Sequence, residues 1–321
     1  MKRAPRKLGR PTLLIVGCGD VGGRILARAR DRFRVLAVTR QPAQVAALRA
    51  AGAVPLLVDL DDAAQVRRLA PFAARVVHLA PPPERGTRDP RTRRLLAAFG
   101  ARAGRLAYVS TTGVYGDRRG APTDETTPTR PGTERARRRV DAEATLRRHG
   151  RAGELGSSVL RAPGIYAHDR LPTQRLRAGL PALAPEDDVY TNHIHAEDLA
   201  RLCLAALARG RPQRVYNAVD DSDLRMGDYL DAVAQATGLP APPRLPRAQL
   251  AQAVSAVMLS FMSESRRIGN ARLKRELRTP LAWPTVADTL ESLARVSAGT
   301  APPRHQGAAL EPGPSLRPPA Q

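Results

Sequence analysis

Residues 12–58 alternate short apolar runs with segments of helical period, and this alternation restricts the fold more than any other feature of the chain. Thr12-Leu-Leu-Ile-Val16 lacks the polar alternation of a half-exposed strand and runs straight into Gly17-Cys-Gly19-Asp-Val-Gly22. A run of this kind suits a strand buried on both faces, the situation in a parallel sheet covered by helices on each side. A helix is expected from about Asp20, a second strand over 34–38, a helix over 44–51 and a third strand over 54–58. Residues 75–79 and 106–110 continue as buried strands, with a helical stretch over 91–103 between them. The order is that of an α/β protein with a doubly wound parallel sheet, whose ligands belong at the carboxyl ends of the strands.

Residues 134–148 are helical in period and heavily charged, and 157–160 form another strand. Beyond them the alternation weakens. A proline-rich stretch over 163–188 precedes a helix at 196–209, a strand at 214–217 and a helix at 226–237, with a proline-rich connector at 240–246. The expected domains are a basic N-terminal extension (1–11), a dinucleotide-binding Rossmann core (12–162) and a small C-terminal substrate lobe interleaved with the last core strands (163–300). Residues 301–321, rich in proline and glycine, read as a disordered tail.

With 321 residues the chain can bury a full core without covalent staples. Cys18 and Cys203 lie far apart and have no metal-type spacing, so a reducing, cytoplasmic setting and no metal are expected. The apolar run at 13–16 is too short for a signal-peptide core or a membrane span, so no membrane association is expected. The net charge of +22 invites a nucleic-acid reading, but all but three of the 52 basic residues are arginine, the exceptions being Lys2, Lys7 and Lys274. That skew, with heavy use of alanine and proline, reads as a coding bias spread over solvated faces. Arg135, Arg137, Arg138 and Arg139 cluster without the interleaved aromatics of a base-stacking surface, so nucleic acid is not an expected partner.

The glycine segment has a direct physical reading. Gly17 permits a tight turn, Gly19 lets a pyrophosphate approach the backbone, and Gly22 allows close packing of helix on strand. Asp20 and Val21 open the helix whose free N–H groups and positive dipole end face the phosphates. The end of the second strand discriminates between cofactors: an acidic residue there accepts from the ribose hydroxyls of NAD, whereas arginine faces the 2′-phosphate of NADP. This chain has Thr39-Arg40, a hydroxyl and a charge-assisted grip, so NADP is expected, with NAD the alternative. Asp59 and Leu60, at the end of the third strand, are further candidate cofactor contacts.

Together with Ser110-Thr111-Thr112-Gly113-Val114-Tyr115-Gly116, Val159-Leu-Arg161-Ala-Pro163-Gly-Ile-Tyr166, Asn192-His-Ile-His195-Ala-Glu-Asp198 and Tyr216-Asn217-Ala-Val-Asp220, these residues give a chain that resembles the extended and atypical short-chain dehydrogenase/reductases of the NAD-dependent epimerase/dehydratase type. The likeness runs over about residues 13–294. It implies a small-molecule substrate, a homodimer built through packed helices, a cofactor contact at Ala80-Pro81, and a carbonyl contact at Thr111. Thr112, Tyr166, Asn192 and His195 are the expected substrate contacts. The resemblance further implies a tyrosine acting as acid and base and a lysine four residues later. Counting back from Glu143, these positions hold Arg135 and Arg139.

A guanidinium does not trade protons near neutral pH. Arg139 can still hold the ribose and supply positive charge, the electrostatic half of the lysine's role; the plainer reading makes Arg135, Arg139 and Glu143 i,i+4 neighbours on a solvated helix face. Tyr115, Tyr166, His193 and His195 are the other proton donors to weigh. In the family the histidine and aspartate at His195 and Asp198 mostly organise the lobe, and Tyr115 packs beneath the cofactor. Two functions follow: an atypical reductase or epimerase working by hydride transfer through Thr111, Tyr115 and Arg139, or a cofactor-binding sensor or interaction protein without turnover.

Overall fold

A computed structural model describes residues 9–297 apart from 152 and 154. The expected tail at 301–321 and residues 1–8 of the N-terminal extension lie outside the described residues.

Seven strands form one parallel sheet: β1 (Thr12–Val16), β2 (Arg34–Thr39), β3 (Val54–Leu57), β4 (Arg75–His78), β5 (Arg105–Thr111), β6 (Gly156–Ala162) and β7 (Arg214–Asn217). Their spatial order is β3-β2-β1-β4-β5-β6-β7. The chain winds outward from β1 in one direction, then returns and winds in the other. Val16 pairs with Val38 on one side and His78 on the other, so the crevice outside the ends of β1 and β4 is the topological switch point.

The sequence accounts for this directly. In β1, Leu13 and Ile15 enter one core cluster, with residues of helix α1 (Asp20–Ala29), while Leu14 and Val16 enter another, with Leu95, Leu96 and Phe99 of α4 (Pro90–Phe99). All four β1 side chains are fully buried, each contributing up to about 2 kcal/mol of hydrophobic stabilisation. Between α1 and α4 come α2 (Gln44–Ala50) and α3 (Ala63–Arg67). Asp62 caps α3, and Asp89 caps α4 with Pro90 at its first position, where the missing N–H has no helical acceptor to lose. The helix expected over 91–103 stops at Phe99 because Gly100 takes a positive φ; a 3-10 turn completes the stretch. α5 (Glu134–Arg151) crosses from β5 to β6.

The remaining chain alternates between lobe and core. Gly164–Tyr166 pairs in parallel with His193–His195, α6 (Thr173–Arg177) precedes that pair's second strand, and α7 (Ala196–Arg209) returns to pack against α1. After β7 come α8 (Met226–Thr237), α9 (Arg247–Ala253), α10 (Ala256–Phe261), α11 (Ala271–Leu277) and α12 (Val286–Ser297). The segment read as a connector at 240–246 contains Arg244–Leu245, which pairs with Ala182–Leu183 and belongs to the lobe. Leu273 and Leu277 of α11 re-enter the core of the main sheet. Among the described residues, no helix is long and apolar enough to cross a membrane.

Candidate functional site

The turn after β1 is shaped for close approach to its backbone. Gly17 has φ +90°, and a Cβ there would sit 2.6 Å from the Ala80 nitrogen, so only glycine lets the turn after β1 and Ala80, two residues past β4, come this close. Gly22 lies against the Gly17 carbonyl and Cys18 Sγ, whereas a Cβ at Gly19 would meet no protein atom within 4 Å. The first intrahelical bond runs from Gly23 N–H to the Gly19 carbonyl. The N–H groups of Asp20, Val21 and Gly22 precede it and stand at the positive end of α1, and no side chain caps them. Asp20 brings a carboxylate to this place, but it accepts from Arg24 at 2.9 Å and Arg170 at 2.8 Å, so two guanidinium groups offset its charge. Cys18 is buried, and burial pushes its thiol up to about 11, which removes it as a nucleophile.

At the end of β2, Arg40 is exposed, and Thr39 is buried with its hydroxyl donating to Gln44 Oε1 at 2.7 Å while accepting from Gln41 N–H. Thr39 therefore shapes the strand end, and Arg40 is the group presented to solvent. Across the crevice Arg91 forms a two-bond pair with Asp61 and donates to the Pro81 carbonyl at 3.1 Å, while Arg94 lies 3.4 Å from Asp61. This pairing holds the Asp61 carboxyl below its ordinary range. Asp59 accepts from Asp61 N–H, and Leu60 packs into the core. Ala80 is buried beside Gly17; Pro81 is exposed.

The second half of the site lies at the end of β5. Thr111 Oγ1 accepts the Gly113 N–H at 3.2 Å, which leaves its own O–H to donate; Thr112, the next candidate, is buried. Arg139 donates to the Val109 carbonyl at 3.0 Å and the Tyr108 hydroxyl at 2.9 Å, so its charge is held at the carboxyl end of β5 rather than on a free helix face. Glu143 accepts from Ser110 at 2.7 Å and from both arms of Arg161 at 2.7 and 3.1 Å, in full burial. Arg161 in turn covers the Tyr115 ring at 4.7 Å.

Several expected contacts are placed elsewhere. Tyr115 is fully buried and donates to Asn217 Oδ1 at 2.7 Å; burial raises its pKa, so it serves packing and not proton transfer. Asn192 is committed to the backbone of the 266–268 segment, donating to Arg266 O and accepting from Ile268 N–H, both at 2.9 Å. His195 caps α7 by accepting Glu197 N–H, and burial pulls it down to about 4. Tyr166 and His193 are buried in the lobe, where Tyr166 packs with Tyr229 and Leu230 and the His193 ring lies 4.2 Å from that of Tyr229. These rings cluster because the strands 164–166 and 193–195 pair in register, which points Tyr166 and His195 to the same side. The arrangement builds the lobe and removes them as cleft-lining contacts.

With this geometry in view, the comparisons with known proteins are specific about one thing. The sequence model of a family described as NAD(P)H-binding matches residues 17–209, which begins at the first glycine of the turn and ends with α7. This chain belongs to the NAD(P)H-binding family. A functionally unknown conserved protein from Silicibacter pomeroyi is similar to it at 32% identity, covering 90% of this chain and 99% of the other, with a TM-score of 0.75. Two further structures share the fold. One is the UDP-glucose 4-epimerase of Thermotoga maritima with UDP-glucose, at 17% identity, covering 90% and 99% with a TM-score of 0.73. The other is the dTDP-glucose 4,6-dehydratase of Streptomyces venezuelae with NAD bound, at 20%, 90%, 97% and 0.70. Among curated proteins, none matches the chain. The NAD(P)H-binding domain thus has structural neighbours among the epimerase/dehydratases and the short-chain dehydrogenase/reductases, as its motifs implied.

Sequence reasoning missed four charged groups near the ends of the central strands. Arg91, Arg94 and Arg266 carry no local signal, because each meets a partner across 30 or more residues, and Glu264 pairs with Arg266 two residues away. The Glu143–Arg161 pair was findable in principle: an arginine inside the apolar strand β6 demands a buried acid.

Proposed function

We propose that this chain is an NADP-preferring oxidoreductase or epimerase acting by hydride transfer on a small carbonyl, alcohol or sugar-type substrate. The observation that carries the reading is the juxtaposition of two halves of a site on one sheet: the glycine turn at β1 and Thr111 at the end of β5, with its O–H left to donate. The N–H groups of Asp20, Val21 and Gly22 would hold the pyrophosphate and Arg40 the 2′-phosphate. Bound there, the nicotinamide supplies or accepts hydride. Thr111 would polarise the reacting oxygen, and Arg139 would supply fixed positive charge beside it.

Arg40 is supported by its exposure and by the absence of an acidic residue at its strand end. Nicotinamide fluorescence during titration with NADPH and NADH tests this. NADPH should bind more tightly, and Arg40→Ala should lose about tenfold or more of that preference, the strength of a charge-assisted contact. Equal affinities for both nucleotides in wild type and variant would sink the NADP assignment.

One observation favours a second reading, a cofactor-binding sensor without turnover. Tyr115, Tyr166, His193 and His195 are all buried, so none of these four offers a proton at the Thr111 cleft. Tight NADPH binding with no NADPH consumption across a panel of carbonyl compounds would select that reading.

A further inference from the structure

Charge is divided between the two ends of the central sheet. Its strands are parallel, so their first residues all stand at one end, opposite the glycine turn and Thr111. Four of the seven strands begin with arginine: Arg34 in β2, Arg75 in β4, Arg105 in β5 and Arg214 in β7. The helix-to-strand connections at the same end add Arg30 and Arg32 before β2, Arg68 before β4 and Arg102 before β5, all exposed. Among the described residues of these connections, Asp31 is the only acid. Acids gather at the other end instead: Asp59, Asp61 and Asp62 follow β3, Asp89 follows β4, and Asp117 and Asp124 follow β5.

The arginines at the amino end are short of partners. Arg214 is paired with Glu276, and Arg105 lends an N–H to the Gly210 carbonyl at 2.8 Å. Arg30, Arg32, Arg34, Arg68, Arg75 and Arg102 meet no carboxylate among the described residues. The negative end of a helix dipole accounts for an arginine in a last turn, such as Arg49 of α2, but not for arginines that open strands. Arg34, Arg75 and Arg105 lie along the neighbouring strands β2, β1, β4 and β5, with Arg75 and Arg105 partners in register, so the row spans three strand spacings, about 14 Å. Like charges held this close build a positive potential that a partner of dense negative charge relieves, and the arginine fork fits phosphate oxygens.

We propose that the amino-end face of the central sheet docks the phosphate backbone of a duplex nucleic acid, without reading its sequence. The lack of aromatics interleaved with the arginines argues against base stacking and is no obstacle to phosphate contact. Phe33 and Phe72, the aromatic residues of these connections, pack against the core, which leaves the bases of a single strand nothing to stack on. A duplex keeps its bases stacked inside and presents one charge per about 1.7 Å of its axis. A lipid surface takes up apolar side chains as well as charge. The exposed large hydrophobic residues among those described are Val54 and Leu57, of which only Val54, the first residue of β3, stands at this end.

Fluorescence anisotropy of a labelled mixed-sequence DNA duplex of about 20 base pairs, titrated with the full chain at about 50 and about 200 mM salt, tests it. Wild type should bind with a dissociation constant of about 1 μM or tighter at the lower salt and lose about a hundredfold or more at the higher, as four phosphate contacts require. The combined variant Arg34→Gln, Arg68→Gln and Arg75→Gln should weaken binding about tenfold or more and flatten the slope of log affinity against log salt by about 3. Arg85→Gln, Arg88→Gln and Arg137→Gln together remove the same charge from exposed positions at the opposite end and should leave that slope unchanged. The substituted side chains are all exposed, so both variants should keep the wild-type melting temperature. No duplex binding by wild type, or equal losses in the two variants, overturns the proposal. Capture by phosphatidylserine-containing vesicles without duplex binding also overturns it and assigns the face to a lipid surface. Every outcome leaves the oxidoreductase reading untouched, because the glycine turn lies at the other end of the sheet.

Discussion

Arg139 and Arg161 show how much one guanidinium's position decides. Both are arginines in a chain that uses them freely, yet Arg161 is 3% exposed inside an apolar strand and is tolerated there only because Glu143 receives two of its N–H groups and Ser110 completes the carboxylate's partners. Removing one member of such a pair leaves the other buried and unmatched, which typically costs about 3–5 kcal/mol. Glu143→Gln should therefore lower the unfolding free energy by that order in a denaturant titration. A loss below about 1 kcal/mol, the worth of an exposed pair, would mean that Arg161 escapes to water. The same argument explains why position 143 was recognisable in the sequence while its role was not: it matched the glutamate that the resemblance implies, from which Arg139 was counted back, but its partner lies on β6, outside its own helix.

At the scale of elements, the lobe is organised by a buried polar seam. The strand 164–166, the strand 193–195, the turn after β7 and α12 bring together Tyr166, His193, Asp220 and Thr289, each with a buried polar atom that has no hydrogen-bond partner. Asp220 faces Tyr166 on the first strand, Tyr229 of α8 and its own neighbours Asp221 and Ser222. Burial raises its carboxyl from 3.8 to about 7, only partly offset by the Ser222 N–H. A folded pKa above the unfolded one means that the stability is fully present below about pH 4 and is lost as pH rises through about 7. Each tenfold change in proton affinity corresponds to about 1.4 kcal/mol. Asp220→Asn should accordingly match wild type in melting temperature near pH 4 and exceed it at pH 8. His193 and His195, pulled down by burial to about 3 and about 4, act in the opposite direction, losing stability as pH falls below their unfolded value near 6.5. The comparison of variant with wild type isolates Asp220 from them; identical profiles for the two proteins would show that the carboxyl is hydrated and ordinary.

For the whole molecule, the net charge of +22 turns out to be structured rather than merely spread. Arg24 and Arg28 of α1 share Glu197 of α7, Arg24 also holds Asp169, and Arg170 holds Asp20, so ion pairs tie the nucleotide-binding helix to the chain that leads into the lobe. Most of these groups are partly exposed, so each pair is worth little alone; their joint effect is to fix the lobe's first loop beside the cofactor turn. A cofactor that bridges β1 and β5 should then stabilise core and lobe together. At a hundredfold excess over its dissociation constant, NADPH should add about 2.7 kcal/mol and raise the melting temperature by several degrees in a single transition. An unchanged melting temperature under those conditions would contradict specific binding to the folded state.

The nucleotide turn and the sheet were legible in the sequence because their causes are local. A strand buried on both faces must be apolar at successive residues, and Gly17 must be glycine because its φ is positive and Ala80 crowds it. The end of β5 was legible as a motif, with Thr111 at its half-buried last position. The identity of the groups lining the cleft was not. Tyr115, Tyr166 and His195 look like chemistry in one dimension, but strand pairing turns them inward and gives them packing and capping partners. Arg266 and Glu264 look like two more charges in an arginine-rich chain, and only the return of the lobe onto the core, 150 residues after Gly116, sets them beside α5. Local sequence determined the backbone that can hold a dinucleotide; long-range packing decided which side chains face it, because orientation depends on partners that spacing along the chain does not reveal.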